Sequence, residues 1–343
     1  MRPDSAPLDR SSLASRTLRR ILLSLLLAAL LLIPLFLWGG VEAHDFERTW
    51  GRLSAGTYLT ALGLHIAMYA LRTLRFSILL PSAERPAFAT FLAVCAAHTM
   101  AAFVLPAKIG EATFVLYAHQ ACGVQASSSI AALVVARLLD LATLAGGFSI
   151  ACFALQATQA YPHVSWFTAA GSVLAGVSFL CFGLSARSDL LLRLAAWLVR
   201  LLGIARTRAG RKLLGATAHV VAALRVAGGG RRLAAAALVS IPIWACIFLF
   251  CVVLARGLGL HDQVTFAGAI FGASLAIVTS QIPVSAFASF GTLEAGWVLG
   301  FGVLGVPRDL ALATGLGLHV VQLANVIVLG VLGHLAMGAS KRR

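Results

Sequence analysis

Nine apolar segments divide this 343-residue chain, and most are long enough to cross the hydrocarbon core of a lipid bilayer. They are 21–38, 56–71, 88–105, 128–155, 164–184, 233–255, 266–283, 292–304 and 309–335. Leucine and alanine dominate them, and they lack the apolar–polar alternation of barrel strands. With 60% hydrophobic and 11% charged residues, the chain is predicted to be an all-α polytopic membrane protein.

The strong positive charge points to the membrane surface rather than to nucleic acid. The formal net charge is +15, but the 27 Lys and Arg residues lie almost entirely between the apolar segments. Cations in that position set topology and contact anionic lipid headgroups. No nucleic-acid partner is expected.

The basic segment 185–232 decides how many apolar segments cross the membrane. It holds ten Lys and Arg residues, and nine complete crossings would place it outside the cytoplasm, against the positive-inside rule. We therefore predict that 88–105 enters the membrane, turns at Pro106–Gly110 and returns through 111–122. That returning arm is too short to span about 30 Å at about 1.5 Å per residue.

The segments 266–283 and 292–304 have the same form, so we predict about six full transmembrane helices plus two re-entrant helical hairpins. This topology puts 22 Lys and Arg residues on the cytoplasmic side and four outside, with Arg137 inside a span. Both termini are then cytoplasmic, and a bacterial-type inner membrane is expected. The predicted division is a basic tail 1–20, one transmembrane domain 21–338 and a basic tail 339–343.

The first apolar segment resembles the hydrophobic part of a signal peptide but is long for one. Arg16, Arg19 and Arg20 precede it, and Val41-Glu42-Ala43 loosely resembles a cleavage site. The length of the segment favours a retained transmembrane helix.

The basic segment 185–232 has its leucines at helical spacing. This pattern is typical of an amphipathic helix or helical hairpin on the inner leaflet. An ordinary loop that holds the topology is the alternative.

An internal repeat relates the two hairpins and the long helices that follow them. Gly123-Val124 aligns with Gly305-Val306 at an offset of 182 residues. The polar positions then align as pairs: Arg137 with His319, Asp140 with Gln322 and, after a one-residue slip, Glu111 with Glu294. The repeats, about 88–155 and 266–335, are inverted in the predicted topology, which is a common plan in transporters.

Ionisable residues inside apolar helices are costly, so each is a candidate site residue. Arg137 and Asp140 share one helix face. They form either a pair that locks this helix to its neighbours or an anion-binding arginine whose guanidinium Asp140 holds. Lys108, Gly110 and Glu111 belong to the first turn, where the exposed amides of the returning arm favour an anion. Glu111 either caps that arm or pairs with a cation.

Five further residues complete the candidate set. Arg72 and Arg75 are either positive-inside anchors at a helix end or a clamp for a lipid headgroup. Glu294 begins the second short arm. His319 and Gln322 stack on the last span, where they act as helix-packing hydrogen bonders or as a proton relay.

No catalytic or metal-binding motif stands out in the sequence. The chain has no H-E-x-x-H, G-x-S-x-G or Walker loop, and the segments between apolar runs are too short for an ordinary catalytic domain. Its six cysteines lie in or beside apolar runs without a C-x-x-C pair, as small buried hydrophobic residues do. We therefore predict no catalytic residue, no metal and no cofactor.

Several short motifs recur together in this chain: Arg72-x-x-Arg75-Phe76, Pro106-x-x-x-Gly110-Glu111, Gly123-Val124 leading to Ala136-Arg137-Leu138-Leu139-Asp140, Phe290-Gly291-x-x-Glu294 and Gly305-Val306. Over about residues 15–338 the pattern resembles the lysylphosphatidylglycerol synthase transmembrane region, or flippase-like domain, family. Members stand alone or are fused to an aminoacyl transferase that makes lysyl-phosphatidylglycerol. This sequence does not contain that transferase module.

The resemblance implies a protein that moves an amphiphilic, anionic lipid or lipid-linked envelope precursor between leaflets. The candidate lipids are anionic phospholipids, polyprenyl lipids and hopanoid lipids. On this hypothesis the headgroup is gathered on the cytoplasmic side by Arg72, Arg75 and Lys108. Arg137 then holds it near the midplane, and Glu294 and His319 line the outer half. The alternative is an integral accessory subunit or enzyme of lipid headgroup or lipid-linked sugar transfer. It would use Glu111 or Asp140 as base and a glycosyltransferase or headgroup transferase as partner.

Single-cysteine labelling tests the predicted orientation. A cysteine placed by Arg200→Cys is expected to react with an impermeant maleimide only after cells are opened, because the positive-inside rule puts the basic segment in the cytoplasm. Arg308→Cys, in a segment predicted outside, is the matched control and is expected to react in intact cells. Labelling of residue 200 in intact cells would overturn the orientation.

Overall fold

The fold is a bundle of α-helices. A computed structural model describes residues 33, 43–105, 110–158, 161, 164–185, 188–201, 203, 207–226, 230–282 and 287–340. In these ranges the chain forms twelve α-helices and no strand. They are α1 (Ala43–Gly51), α2 (Ala55–Leu79), α3 (Phe88–Val104), α4 (Thr113–Cys122), α5 (Ala126–Ala157), α6 (Val164–Ser185), α7 (Ser188–Leu201), α8 (Arg208–Val226), α9 (Gly230–Ala255), α10 (Phe266–Ser280), α11 (Thr292–Val303) and α12 (Arg308–Ser340). This confirms the predicted all-α membrane fold.

Three of the described helices are both long and apolar enough to cross a bilayer. They are α5, α12 and α9 with the π-helical turn Arg256–Leu260 that continues it. Helices α3 and α10 are apolar but shorter. The apolar segment 21–38 lies outside the described residues except for Ile33. The number of full crossings and the re-entrant character of the hairpins stay predictions.

Helix α2 continues through Leu79, whereas the sequence pattern ended the apolar segment at residue 71. Arg72 and Arg75 therefore lie inside a helix rather than in a connection, and the Arg75 side chain is buried. Arg75 can be buried in the helix because the carboxylate of Asp140 pairs with it. Without these two residues the predicted cytoplasmic side keeps 20 of its 22 cations, so the charge bias persists.

Two tightly packed helical hairpins, α3–α4 and α10–α11, follow the order that the repeat predicts. In the first, a Cβ on Gly110 would lie 2.1 Å from the carbonyl oxygen of Ala101. In the second, a Cβ on Gly300 would lie 2.7 Å from the Cα of Gly272. Glycine thus allows the two arms of each hairpin to approach closely.

The two halves pack against each other crosswise. Helix α3 packs on α12 of the second half, and α10 packs on α5 of the first. The helices that precede each hairpin, α2 and α9, pair in opposite directions: Arg75 donates to Ser240 at 3.0 Å, and the ring of His65 lies 5.2 Å from that of Phe250. Helices α2 and α9 hold equivalent places in the two repeats, and a two-fold axis parallel to the helices would make them run in the same direction. The antiparallel pairing therefore fits inverted units.

The basic segment forms two helices, α7 and α8, that pack against each other. Helix α8 also packs on α5. Arg193, Trp197 and Arg200 are exposed on α7. A helical hairpin, not an ordinary loop, thus accounts for the leucine spacing.

Gly110→Ala tests the close approach in the first hairpin. The added methyl group would overlap the backbone of Ala101 and Ala102, so we expect the substitution to destabilise the fold by about 1–3 kcal/mol. Gly63→Ala in α2 is the control, since its added Cβ meets no atom within 4 Å. Thermal unfolding in one detergent measures both proteins. Equal melting temperatures would contradict the packing described here.

Candidate functional site

A central cavity of about 290 Å³ is lined by both repeats and by α2 and α9. Its volume is close to the lower end of the range for small-ligand sites, about 300–1,000 Å³. Part of the lining is charged, namely Arg72, Arg75, Glu111, Arg137 and Asp140. Much of the rest is apolar and includes Leu144, Ile247, Phe250, Leu318 and Val326. The cavity is therefore amphipathic.

Asp140 of α5 is the centre of the charged part. Both of its carboxylate oxygens accept hydrogen bonds from the Arg75 guanidinium, at 2.7 and 3.2 Å. Trp244 Nε1 of α9 donates to Oδ1 at 3.1 Å. Arg75 also donates to the hydroxyl of Ser240, which itself donates to the Ala236 carbonyl. A bidentate, largely buried ion pair of this kind fixes orientation as well as charge.

Arg137 bridges the two carboxylates of the site. It donates to Asp140 Oδ2 at 3.2 Å and to Glu111 Oε1 at 2.5 Å. Its side chain is 46% exposed, although it lies within the long apolar helix α5. The sequence predicted a contact between Arg137 and Asp140, either as a pair that locks the helix or as the support of an anion-binding arginine, and the two groups are in contact. In the structure the two oxygens of Asp140 hold Arg75, and Glu111 pairs with Arg137 instead of capping α4.

The cluster carries one excess positive charge. It contains three arginines and two carboxylates. Arg72 lines the cavity, and no carboxylate of the described residues lies within ion-pair distance of its guanidinium. The Nε atoms of Arg72 and Arg75 are buried and have no hydrogen-bond partner among the described residues. Arg72 faces the cavity without an ion pair to a carboxylate of the described residues, so this site favours an anion.

The second repeat contains an acid–base pair in the corresponding place. His319 Nδ1 and Glu294 Oε1 are 2.5 Å apart, and both side chains are completely buried. Relative to Arg137 and Glu111, the offsets are 182 and 183 residues, as in the sequence repeat. Each repeat thus joins an acid near the start of its short helix to a basic residue on the following long helix.

The remaining predicted residues are placed as follows. Gln322 lines the cavity. Gly110 acts through close packing, and its carbonyl accepts from the Thr113 hydroxyl at 2.6 Å. Lys108 lies outside the described residues. The described part of the chain has no group of three or more His, Cys, Asp or Glu residues arranged to hold a metal ion.

Sequence reasoning missed Ser240 and Trp244, which complete the Arg75–Asp140 pair. Both are polar groups in an apolar helix that also contains Pro242, and this was the available signal. His65 was also missed. It lines the cavity, and its buried Nδ1 has no hydrogen-bond partner among the described residues.

Asp140→Asn tests the central ion pair. The substitution leaves Arg75 buried without its counter-charge, so we expect a loss of about 3–5 kcal/mol in stability. Asp262→Asn is the control, because Asp262 pairs only with its exposed neighbour His261 at the surface. Thermal unfolding in detergent measures both. A melting temperature of the Asp140→Asn protein equal to that of the control would show that the pair does not stabilise the bundle.

Comparison with known proteins supports the membrane character of this site. No curated protein and no solved structure matches the chain. The family model described as the lysylphosphatidylglycerol synthase TM region matches residues 21–330, which are 310 of the 343 residues. The match spans the described helices α1 to α11, most of α12 and every residue of the charged cluster. The chain belongs to the lysylphosphatidylglycerol synthase transmembrane region family.

Proposed function

We propose that this protein moves an anionic amphiphilic lipid, or a lipid-linked envelope precursor, between the two leaflets of a bacterial-type inner membrane. Both termini would lie in the cytoplasm. The family is a membrane family with a lipid-related description, and the cavity combines charged and apolar lining as an amphiphile requires.

The observation that carries the proposal is that Arg72 lines the cavity and forms no ion pair with a carboxylate of the described residues. Asp140 neutralises Arg75, and Glu111 pairs with Arg137. An anionic headgroup would supply the missing counter-charge for Arg72. Guanidinium groups suit phosphate because their planar donors match its oxygens, and burial strengthens the attraction.

The lining beyond the charged cluster suits an acyl or prenyl chain. Leu141 lies one turn after Arg137 on α5, lines the cavity and is 44% exposed. Gln281, at the end of α10, is a second exposed lining residue. A lipid could enter beside these residues with its tail towards the hydrocarbon and its headgroup towards the arginines.

Two hairpins that are predicted to be inverted relative to each other would suit transport better than static binding. Both reach the cavity, through Glu111 of the first and Ser289 of the second. In transporters with inverted repeats, substrate sites lie near the midplane where such broken helices meet. Alternate opening of the two hairpins would expose the site to one leaflet at a time.

The alternative, base catalysis by Glu111 or Asp140, has less support. Asp140 accepts hydrogen bonds from Arg75, Arg137 and Trp244, and Glu111 is paired with Arg137. At Asp140 these donors occupy the lone pairs that a base would use. A glycosyltransferase or headgroup transferase as partner stays a hypothesis.

Arg72→Gln tests the proposed function. In proteoliposomes, leaflet-resolved transport of fluorescent phosphatidylglycerol is expected to fall about tenfold or more, because a hydrogen bond to a charged group contributes about 1.5–3 kcal/mol. Arg232→Gln is the matched control, since Arg232 donates to Ser82 away from the cavity. We expect the control to transport like the natural protein.

Two outcomes would contradict this proposal. Transport by the natural protein no faster than in empty vesicles, across phosphatidylglycerol and polyprenyl phosphate, would exclude lipid movement. Unchanged transport by the Arg72→Gln protein would leave lipid movement in place but would exclude Arg72 as the headgroup ligand.

A further inference from the structure

We propose that the Glu294–His319 pair is a proton-binding site, and that release of its proton opens the second hairpin and couples lipid movement to proton movement. The coupling rests on the function proposed above. The proton site itself rests on the hydrogen bonds of the pair.

The hydrogen bonds fix the number of protons. His319 Nε2 lies 2.9 Å from the carbonyl oxygen of Ala288, which can only accept, so Nε2 carries a proton. Glu294 Oε2 accepts from the Gly291 N–H at 2.7 Å. The contact between Nδ1 and Oε1 therefore needs a second proton, carried either by the carboxyl group or by the imidazole. In both cases the pair is neutral overall and holds one releasable proton.

The corresponding pair of the first repeat cannot work in this way. Arg137 keeps its proton under all ordinary conditions, so the Arg137–Glu111 contact is a fixed ion pair. The two repeats thus differ chemically at equivalent positions. The proton shared between Nδ1 of His319 and Oε1 of Glu294 has no counterpart in the Arg137–Glu111 contact.

The surroundings bring no second charged group into contact with the pair. Phe290 stacks on the imidazole at 4.2 Å, and Phe103 of α3 contacts it edge-on at 5.6 Å. In the described part of the chain no other charged side chain bonds to Glu294 or His319. Helix α10, which packs on α11, has no titratable residue. The remaining titratable residues on α12 itself and on the other elements packed against α11 and α12 are Arg308, Asp309 and His334 (α12), Cys95 and His98 (α3), Arg231, Arg232, Cys246 and Cys251 (α9), His44, Asp45, Glu47 and Arg48 (α1) and Arg256 (the π-helical turn).

Release of the proton removes the hydrogen bond between His319 and Glu294, which holds closed the tip of the second hairpin, the turn at Ala288 and Ser289. The proton passes from the pair to water, and a glutamate carboxylate and a neutral imidazole remain. The carboxylate then faces the lone pair of Nδ1 without a donor between them. A buried charge in that state is strongly unfavourable, and opening the site to water relieves it.

The backbone of the tip is also poised to open. Ala288 and Ser289 have φ values of +51° and +63°, a left-handed region that costs non-glycine residues about 1–2 kcal/mol each. His319 holds this turn through the Ala288 carbonyl. Ser289, Leu293 and Trp297 line the central cavity, so movement of the tip changes the lipid site directly.

Glu294→Gln provides a matched test. The glutamine amide can donate to Nδ1 while its oxygen accepts from Gly291, so it reproduces the protonated pair in nearly the same shape and cannot lose the proton. Asp262→Asn is the control, because it alters an exposed acid beside a histidine, His261, outside the cavity.

Opening is measured without reference to transport. A cysteine introduced by Ser289→Cys reports the tip of the purified full-length protein in lipid nanodiscs. Its maleimide labelling rate is normalised to that of the same protein unfolded in detergent, and labelling of the parent cysteines is subtracted. From about pH 6 to pH 8 the normalised rate is expected to rise about tenfold per pH unit, the slope for one released proton. The slope is expected to vanish with Glu294→Gln and to persist with Asp262→Asn.

Coupling is measured in proteoliposomes with the membrane potential clamped. One proton per lipid means that each unit of pH difference supports a leaflet asymmetry of up to about tenfold in fluorescent phosphatidylglycerol. A pH-independent labelling rate in the parent protein would overturn the proton site. Transport that ignores the pH gradient would overturn the coupling while leaving lipid movement intact. Absent transport with pH-dependent labelling would remove the proposed function and its coupling but retain the proton site.

Discussion

The carboxylate of Asp140 is the interaction on which the bundle depends. It joins α5 to α2 through Arg75 and to α9 through Trp244, and it shares Arg137 with the first hairpin through Glu111. Helices in lipid gain little from burying apolar surface, because lipid tails are as apolar as leucine. Polar contacts and close packing must therefore specify which helices meet. One acid that serves donors on three helices provides such a specification at the boundary of the two halves.

This arrangement separates two needs that conflict in a membrane protein. A buried arginine needs a counter-charge for stability, whereas a binding site for anions needs a cation without one. On the proposed function, the cluster meets both needs by distributing two carboxylates over three arginines. The paired arginines hold the helices, and Arg72 keeps its charge for the cavity. The excess of one charge thus follows from the same contacts that order the bundle.

Much of this could be predicted from the sequence because membrane helices and topology leave strong local signals. The long apolar runs predicted the all-α fold. The repeat offset aligned Arg137 with His319, and in the structure Arg137 bonds to Glu111 as His319 does to Glu294. Long-range partners left no such signal. Ser240 lies 165 residues from Arg75, and only the antiparallel pairing of α2 and α9 brings them together. For that reason Arg72 and Arg75 resembled residues at a helix end.

The two halves illustrate how a repeated fold can acquire direction. Equivalent helices and equivalent acid–base pairs would give both hairpins the same free energy of opening if the pairs were chemically identical. An arginine in one pair and a histidine in the other remove that equality, since the second pair is the one proposed above to release a proton. On the proposals made above, the two hairpins act as two gates, and the exchange of arginine for histidine determines which gate responds to pH.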